Sequence, residues 1–227
     1  MTINKPFALC SLLIAASNCG YAVTTTLFDF TTGDNGWTNV QTSSTGSTQY
    51  SSANDPGIAA TDGNGLIPTP PSERDNAGSV PLWARSPAFA LTAGAGNSIS
   101  FDLFGGALGG ASAPANDAAS SLTAATVDSG GFQGMLLRRV SDGAFILSAG
   151  KSANGAGAEN VSWDEAAING AIAGDGPGET YTLDLLDEGH GGWGWLAADS
   201  ISVTTVPEPA TSLMGLAALG LLARRRR

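Results

Sequence analysis

Ser98-Ile99-Ser100-Phe101-Asp102-Leu103-Phe104 alternates without a break. Ile99, Phe101 and Leu103 share one side of an extended chain, Ser100 and Asp102 take the other, and Gly105-Gly106 ends the run. Side chains of a strand point alternately to its two faces, so the pattern predicts a strand with one face in a core. The same period returns at 181–187, where Tyr181, Leu183 and Leu185 share a side, and at 195–206, where Ile201 and Val203 point inward. Residues 25–30, 86–91 and 161–164 give shorter strands, and 134–140 with 144–149 give a hairpin around Ser141-Asp142-Gly143. Helical periodicity is nearly absent apart from one or two turns at 165–173, and 31 glycines punctuate the chain. About eight to ten strands with little helix predict an all-β fold, a single β-sandwich of jelly-roll type.

The remaining stretches are expected to be irregular. Gly33-Asp34-Asn35-Gly36 is a turn signal before Trp37. Residues 42–48 are Ser, Thr and Gly and read as an exposed strand or loop, and 54–80 are rich in Pro, Gly, Asp and Asn. A loop that long is often functional, and its carboxylates and amides could hold Ca2+. The Ala/Ser-rich insertion at 107–125 is expected to be a mobile loop, and 150–160 another loop.

Both ends of the chain carry targeting patterns. Residues 1–22 have Lys5 as the basic region, an apolar stretch at 7–16 and small residues before Val23, the arrangement a signal peptidase reads. Cys19 follows Ala16-Ser17-Asn18, which departs from the pattern of a lipoprotein leader. Cys10 and Cys19 both lie in this leader, so the mature chain can form no disulfide and no thiolate metal site. At the other end, residues 206–227 hold Pro207-Glu208-Pro209, an uncharged apolar run at 210–223, and Arg224, Arg225, Arg226 and Arg227. As a helix the run is about 21 Å long, against a bilayer core of roughly 30 Å. It can anchor the chain only transiently, with the arginines held on the cytoplasmic side.

This tail resembles the PEP-CTERM sorting signal of exopolysaccharide-producing Gram-negative bacteria. The resemblance implies recognition by an exosortase, cleavage near the Pro-Glu-Pro triplet and delivery to the cell envelope or extracellular space. Between leader and tail, residues 23–205 are expected to form one domain.

The span 23–206 carries five basic and nineteen acidic residues, a net charge of −14. Phosphate backbones are repelled by such a surface, so nucleic acid is excluded as a partner. His190 is the only histidine, which excludes catalytic triads and metal sites that need two. Gly189-His190-Gly191-Gly192-Trp193-Gly194 spells a dinucleotide fingerprint, but a strand follows it where a helix is required. It reads instead as a glycine-rich hairpin between the last two strands. No pair of carboxylates is singled out for acid and base roles, and the domain is expected not to be an enzyme.

Tryptophans stand at 37, 83, 163, 193 and 195. Indole faces stack on sugar rings or plug a core; Trp193 is expected in the core and Trp195 partly exposed. Trp195 and His190 are the candidate ligand contacts, with extracellular polysaccharide as the candidate partner. Asp29 opens the domain and Asp199 stands near its close, a candidate oxygen-only calcium pair.

A second resemblance runs through the middle of the chain. Asp29-Phe30 with Gly36-Trp37, Ser86-Pro87 with Phe89 and Leu91, Ile99-Ser100-Phe101 with Gly105-Gly106, then Asp187, Gly191-Gly192-Trp193-Gly194 and Asp199 form an ordered series. It is similar to the β-sandwich modules of some fructan-degrading enzymes and other bacterial surface proteins. Trp195 stands where those modules have histidine, and Ser200 where they have a second aspartate. The resemblance implies the fold and carries over no binding residues.

Overall fold

The computed structural model describes residues 23–30, 33, 35–40, 49–51, 65–67, 82–94, 96–108, 112–117, 131–188 and 196–205. The leader, the tail from 206 onward and the stretch 189–195 with His190, Trp193 and Trp195 lie outside the described residues. The strands run β1 Val23–Phe28, β2 Thr38–Asn39, β3 Gln49–Ser51, β4 Gly65–Ile67, β5 Leu82–Arg85 and β6 Phe89–Ala90. They continue as β7 Ser98–Gly105, β8 Gln133–Arg139, β9 Phe145–Ala149, β10 Gly155–Trp163, β11 Thr180–Asp187 and β12 Leu196–Thr205, with one helix, α1, at Glu165–Ile172.

The strands form two antiparallel six-stranded sheets, so the all-β expectation holds. One sheet has the order β10-β7-β12-β4-β3, with β1 also on β12; the other has β2-β5-β11-β8-β9, with β6 also on β11. The alternation at 98–104 does what its pattern demands: Ile99, Phe101 and Leu103 are wholly buried while Ser100 and Asp102 keep part of their surface. They share one apolar core with Met135 and Leu137 of β8 and Leu183 and Leu185 of β11, so both sheets contribute to it. Trp163 stands edge-on to Phe101 at 5.0 Å, and Trp37 packs on Phe28 and Phe30 at 5.5 and 6.0 Å. These indoles are core side chains.

The hairpin and the helix are locally encoded. Gly143 at φ 72° supplies the left-handed backbone that closes the β8–β9 turn, and Asp142 Oδ1 accepts from the Ala144 amide at 3.0 Å. Asp164 caps α1 by accepting from the Ala167 amide at 2.8 Å, and Glu165 places a negative charge in the first turn. Ile168 and Ile172, one turn apart, bury the helix against the core.

Four expectations are corrected. The loop at 150–160 ends early, because β10 begins at Gly155 and pairs with β7 through Glu159↔Leu103 and Asn160↔Asp102. Gly155-Ala156-Gly157-Ala158 has no large side chains, so its extended pairing left no period to read. Leu82–Arg85, a stretch for which no element was expected, is a strand between β2 and β11, concealed by the prolines on either side of it. The described parts of the 107–125 insertion, 107–108 and 112–117, are docked rather than mobile: the Leu108 amide donates to Lys151 O at 3.0 Å and the Phe145 amide to Ala115 O at 3.0 Å. Finally, β11 and β12 belong to different sheets, so the segment between them is a crossover and not a hairpin. Within 54–80, a stretch expected to be loop, β4 pairs with β3 through Tyr50↔Leu66.

Candidate functional site

The outer face of the β11 sheet carries a second, smaller apolar cluster of Trp83, Phe132, Leu136 and Leu186. Leu108 and Ala113 pack on it from the insertion. Amid these side chains sits a carboxylate. Asp184 alternates outward on β11 between the inward Leu183 and Leu185, directly across from Arg85 on β5, and it is fully buried. Trp83 Nε1 donates to its Oδ2 at 2.6 Å, Arg85 Nη2 to Oδ2 at 2.7 Å, Arg85 Nε to Oδ1 at 3.1 Å, and Thr182 Oγ1 to Oδ1 at 2.9 Å. The Arg85 guanidinium also lies 5.1 Å from the centre of the Trp83 ring.

Asp117 extends the network from the insertion. It takes Arg85 Nη2 at 3.0 Å on Oδ1 and Arg138 Nη2 at 2.8 Å on Oδ2, so one carboxylate bridges two strands of the sheet. Burial pushes the Asp184 carboxyl above its ordinary value, and the bonds from Arg85, Trp83 and Thr182 pull against that. Arg85 loses by burial and regains more from Asp184 and Asp117, so its net shift is upward. A guanidinium and an indole can only donate, so their aim at Asp184 favours the ionised carboxylate. With every oxygen filled by protein donors and no exposed surface, this group holds strands together and pins the insertion.

The other described cations are engaged as well. Arg139 Nη2 meets Asp175 Oδ1 at 2.7 Å, and Tyr181 Oη donates to Asp175 Oδ2 at 2.7 Å. Lys151 is buried and donates to the carbonyls of Gly155 and Gly157 at 2.8 and 2.7 Å, with its pKa lowered by burial. All four described basic residues are thus bonded to partners within the domain.

The sequence-predicted site residues fare differently. Asp29 follows β1 and accepts from Asn35 Nδ2 at 3.4 Å. Asp199 lies on β12 opposite Asp102, almost wholly buried, with the Ser200 amide donating to Oδ1 at 2.6 Å. Because Phe28 pairs with Ile201, Asp29 leaves the end of β1 beside the part of β12 that holds Asp199. Among the described residues no group of three or more His, Cys, Asp or Glu is assembled that could hold a metal ion. His190, Trp195, Pro207, Glu208, Pro209 and Arg224 to Arg227 lie outside the described residues. Where the crossover leaves β11, however, Gln133, Asp187 and Glu188 are buried side by side, and Gln133 Nε2 donates to Asp187 Oδ1 at 2.9 Å.

The Asp184 network was not foreseen. Its signal was present, an acid set between leucines in an apolar strand, but its partners lie 99 and 67 residues away in sequence.

No helix among the described residues is long and apolar enough to cross a membrane. No curated protein matches the chain, and the likeness of its middle to fructan-enzyme modules rests on the quoted residues alone. A model of the PEP-CTERM protein-sorting motif matches residues 205–227. This motif marks the chain as an exported protein, sorted by an exosortase to the cell envelope or extracellular space.

Proposed function

We propose that the domain is a non-catalytic β-sandwich that binds carbohydrate of the extracellular polysaccharide once sorting has delivered it. The orders β1-β12-β7-β10 and β5-β11-β8-β9 support the jelly-roll form of that sandwich. The observation that carries the binding reading is the setting of the crossover. Trp37, Trp83 and Trp163 are spent inside the protein, whereas Trp193, Trp195 and His190 stand on the segment that starts beside buried Gln133, Asp187 and Glu188. Two indoles and an imidazole on the segment that follows these carboxylates in sequence offer stacking faces and hydrogen-bonding groups, the two needs of a sugar ring. Transient anchoring by the tail would keep the chain at the membrane until the exosortase acts.

A glycan array probed with the mature protein from its native host tests this. Retention of a polysaccharide, lost in Trp195→Ala with an unchanged Tm, is the expected result. No retention on any glycan favours the second reading, a purely structural acidic matrix protein. The engagement of all four described cations with internal partners supports that reading, since it leaves the surface to repelling carboxylates.

A further inference from the structure

The matched sorting motif begins at residue 205, which is also the last residue of β12. No linker separates the folded sheet from Pro207-Glu208-Pro209. β1 closes on this end of β12 in the register Val23↔Thr205, Thr24↔Thr204, Thr25↔Val203 and Thr26↔Ser202. Thr24 Oγ1 and Thr204 Oγ1 share a hydrogen bond of 2.8 Å. The first residues of the mature domain thus hold the residues that precede the cleavage region.

A protease takes its substrate as extended chain whose backbone is free to pair with the enzyme, and protected backbone is cut only after local opening. A cut near the triplet needs residues just upstream of it, and those residues are already paired. The rungs are also weak ones. Val23 is 51% exposed and Thr24 to Thr26 are exposed, so little apolar surface is buried by closing them. Such an end opens far more often than the core.

We propose that the four rungs from Val23–Thr205 to Thr26–Ser202 form a clasp on the sorting site, so that exosortase cleavage waits on their opening and the folded domain sets the rate of its own release. This inference rests on the sorting reading. Cleavage rate then follows the open population of one edge, not the stability of the whole domain.

The test uses the full chain in its native host, with tail loss followed over time by intact mass. Thr24→Cys with Thr204→Cys places two thiols on facing rungs of a domain that otherwise has none, and the oxidising exterior closes them. The oxidised double variant should lose its tail several-fold more slowly than wild type, and reductant should restore the wild-type rate. A Gly-Ser-Gly-Ser spacer between Val206 and Pro207 should speed cleavage and abolish the effect of the crosslink. Equal rates for oxidised, reduced and spacer forms overturn the clasp and leave exosortase sorting intact. Retention of the tail by the wild type itself overturns the sorting reading, and the clasp with it.

Discussion

Asp184 and Glu179 are both acids at β11, and their carboxyls shift in opposite directions, Asp184 upward through burial and Glu179 downward through its hydrogen bonds. Asp184 is wholly enclosed, and its charge is tolerable only because Arg85, Trp83 and Thr182 fill its oxygens. Asp184→Ala removes the carboxylate and strands a partly buried guanidinium. Urea unfolding should show a loss of about 3–5 kcal/mol, the usual cost of breaking a buried pair from one side. Glu179 instead sits at the surface and accepts from the Ser141 and Thr180 amides at 3.2 and 3.1 Å. The bond with Ser141, followed by those of the backbone amides, holds its carboxyl below the ordinary 4.5. A depressed carboxyl contributes stability that is present above pH 4.5 and disappears as pH falls through the lowered folded value. Glu179→Gln should therefore flatten the acid limb of a Tm–pH curve below about pH 4.5, with little change in the shape of the curve near neutrality.

Among elements, the insertion at 107–117 shows how a segment without a hydrophobic period is held. Its described ends bridge to Lys151 and Ala144, on either side of β9, and Leu108 and Ala113 lie on the outer cluster. Asp117 is its only charge in the described part, and it reaches both Arg85 and Arg138. The ion pairs are partly exposed, so Asp117→Ala should cost only about 1 kcal/mol in global stability. Its local effect should be larger. Hydrogen exchange at the Phe145 amide, which donates to Ala115 O, should accelerate while the β7 amides stay protected. A uniform acceleration across both sheets would show that the insertion supports the whole fold.

For the whole molecule, the tail dictates processing. An apolar run too short for a permanent span, behind Pro207-Glu208-Pro209, is a segment to be removed. Intact mass of protein recovered outside the cytoplasmic membrane should lack Arg224 to Arg227, and deleting those four arginines should impair retention before sorting. Recovery of the full-length C-terminus from that location would refute removal.

By itself the sequence determined the elements whose instructions are local. Period-two alternation marked β7, β11 and β12, Asp-Gly marked the β8–β9 turn, and the stretch 165–173 read as one or two helical turns, whereas Asp164, read as the end of a strand, proved to be the cap of α1. The sorting tail was legible for the same reason, since a motif is read along the chain. Only the tertiary structure decided which strands share a sheet, because pairing depends on contacts between residues far apart in sequence. That step placed β11 and β12 in different sheets, turned the glycine-rich stretch into a crossover, and set Asp184 against Arg85 across 99 residues. It also joined Val23 to Thr205, so that the two ends of the domain, read separately as targeting patterns, meet on adjacent strands. Small side chains at 155–158 and charges without local partners carry no periodic signal, and their roles emerged only when the sheets closed over them.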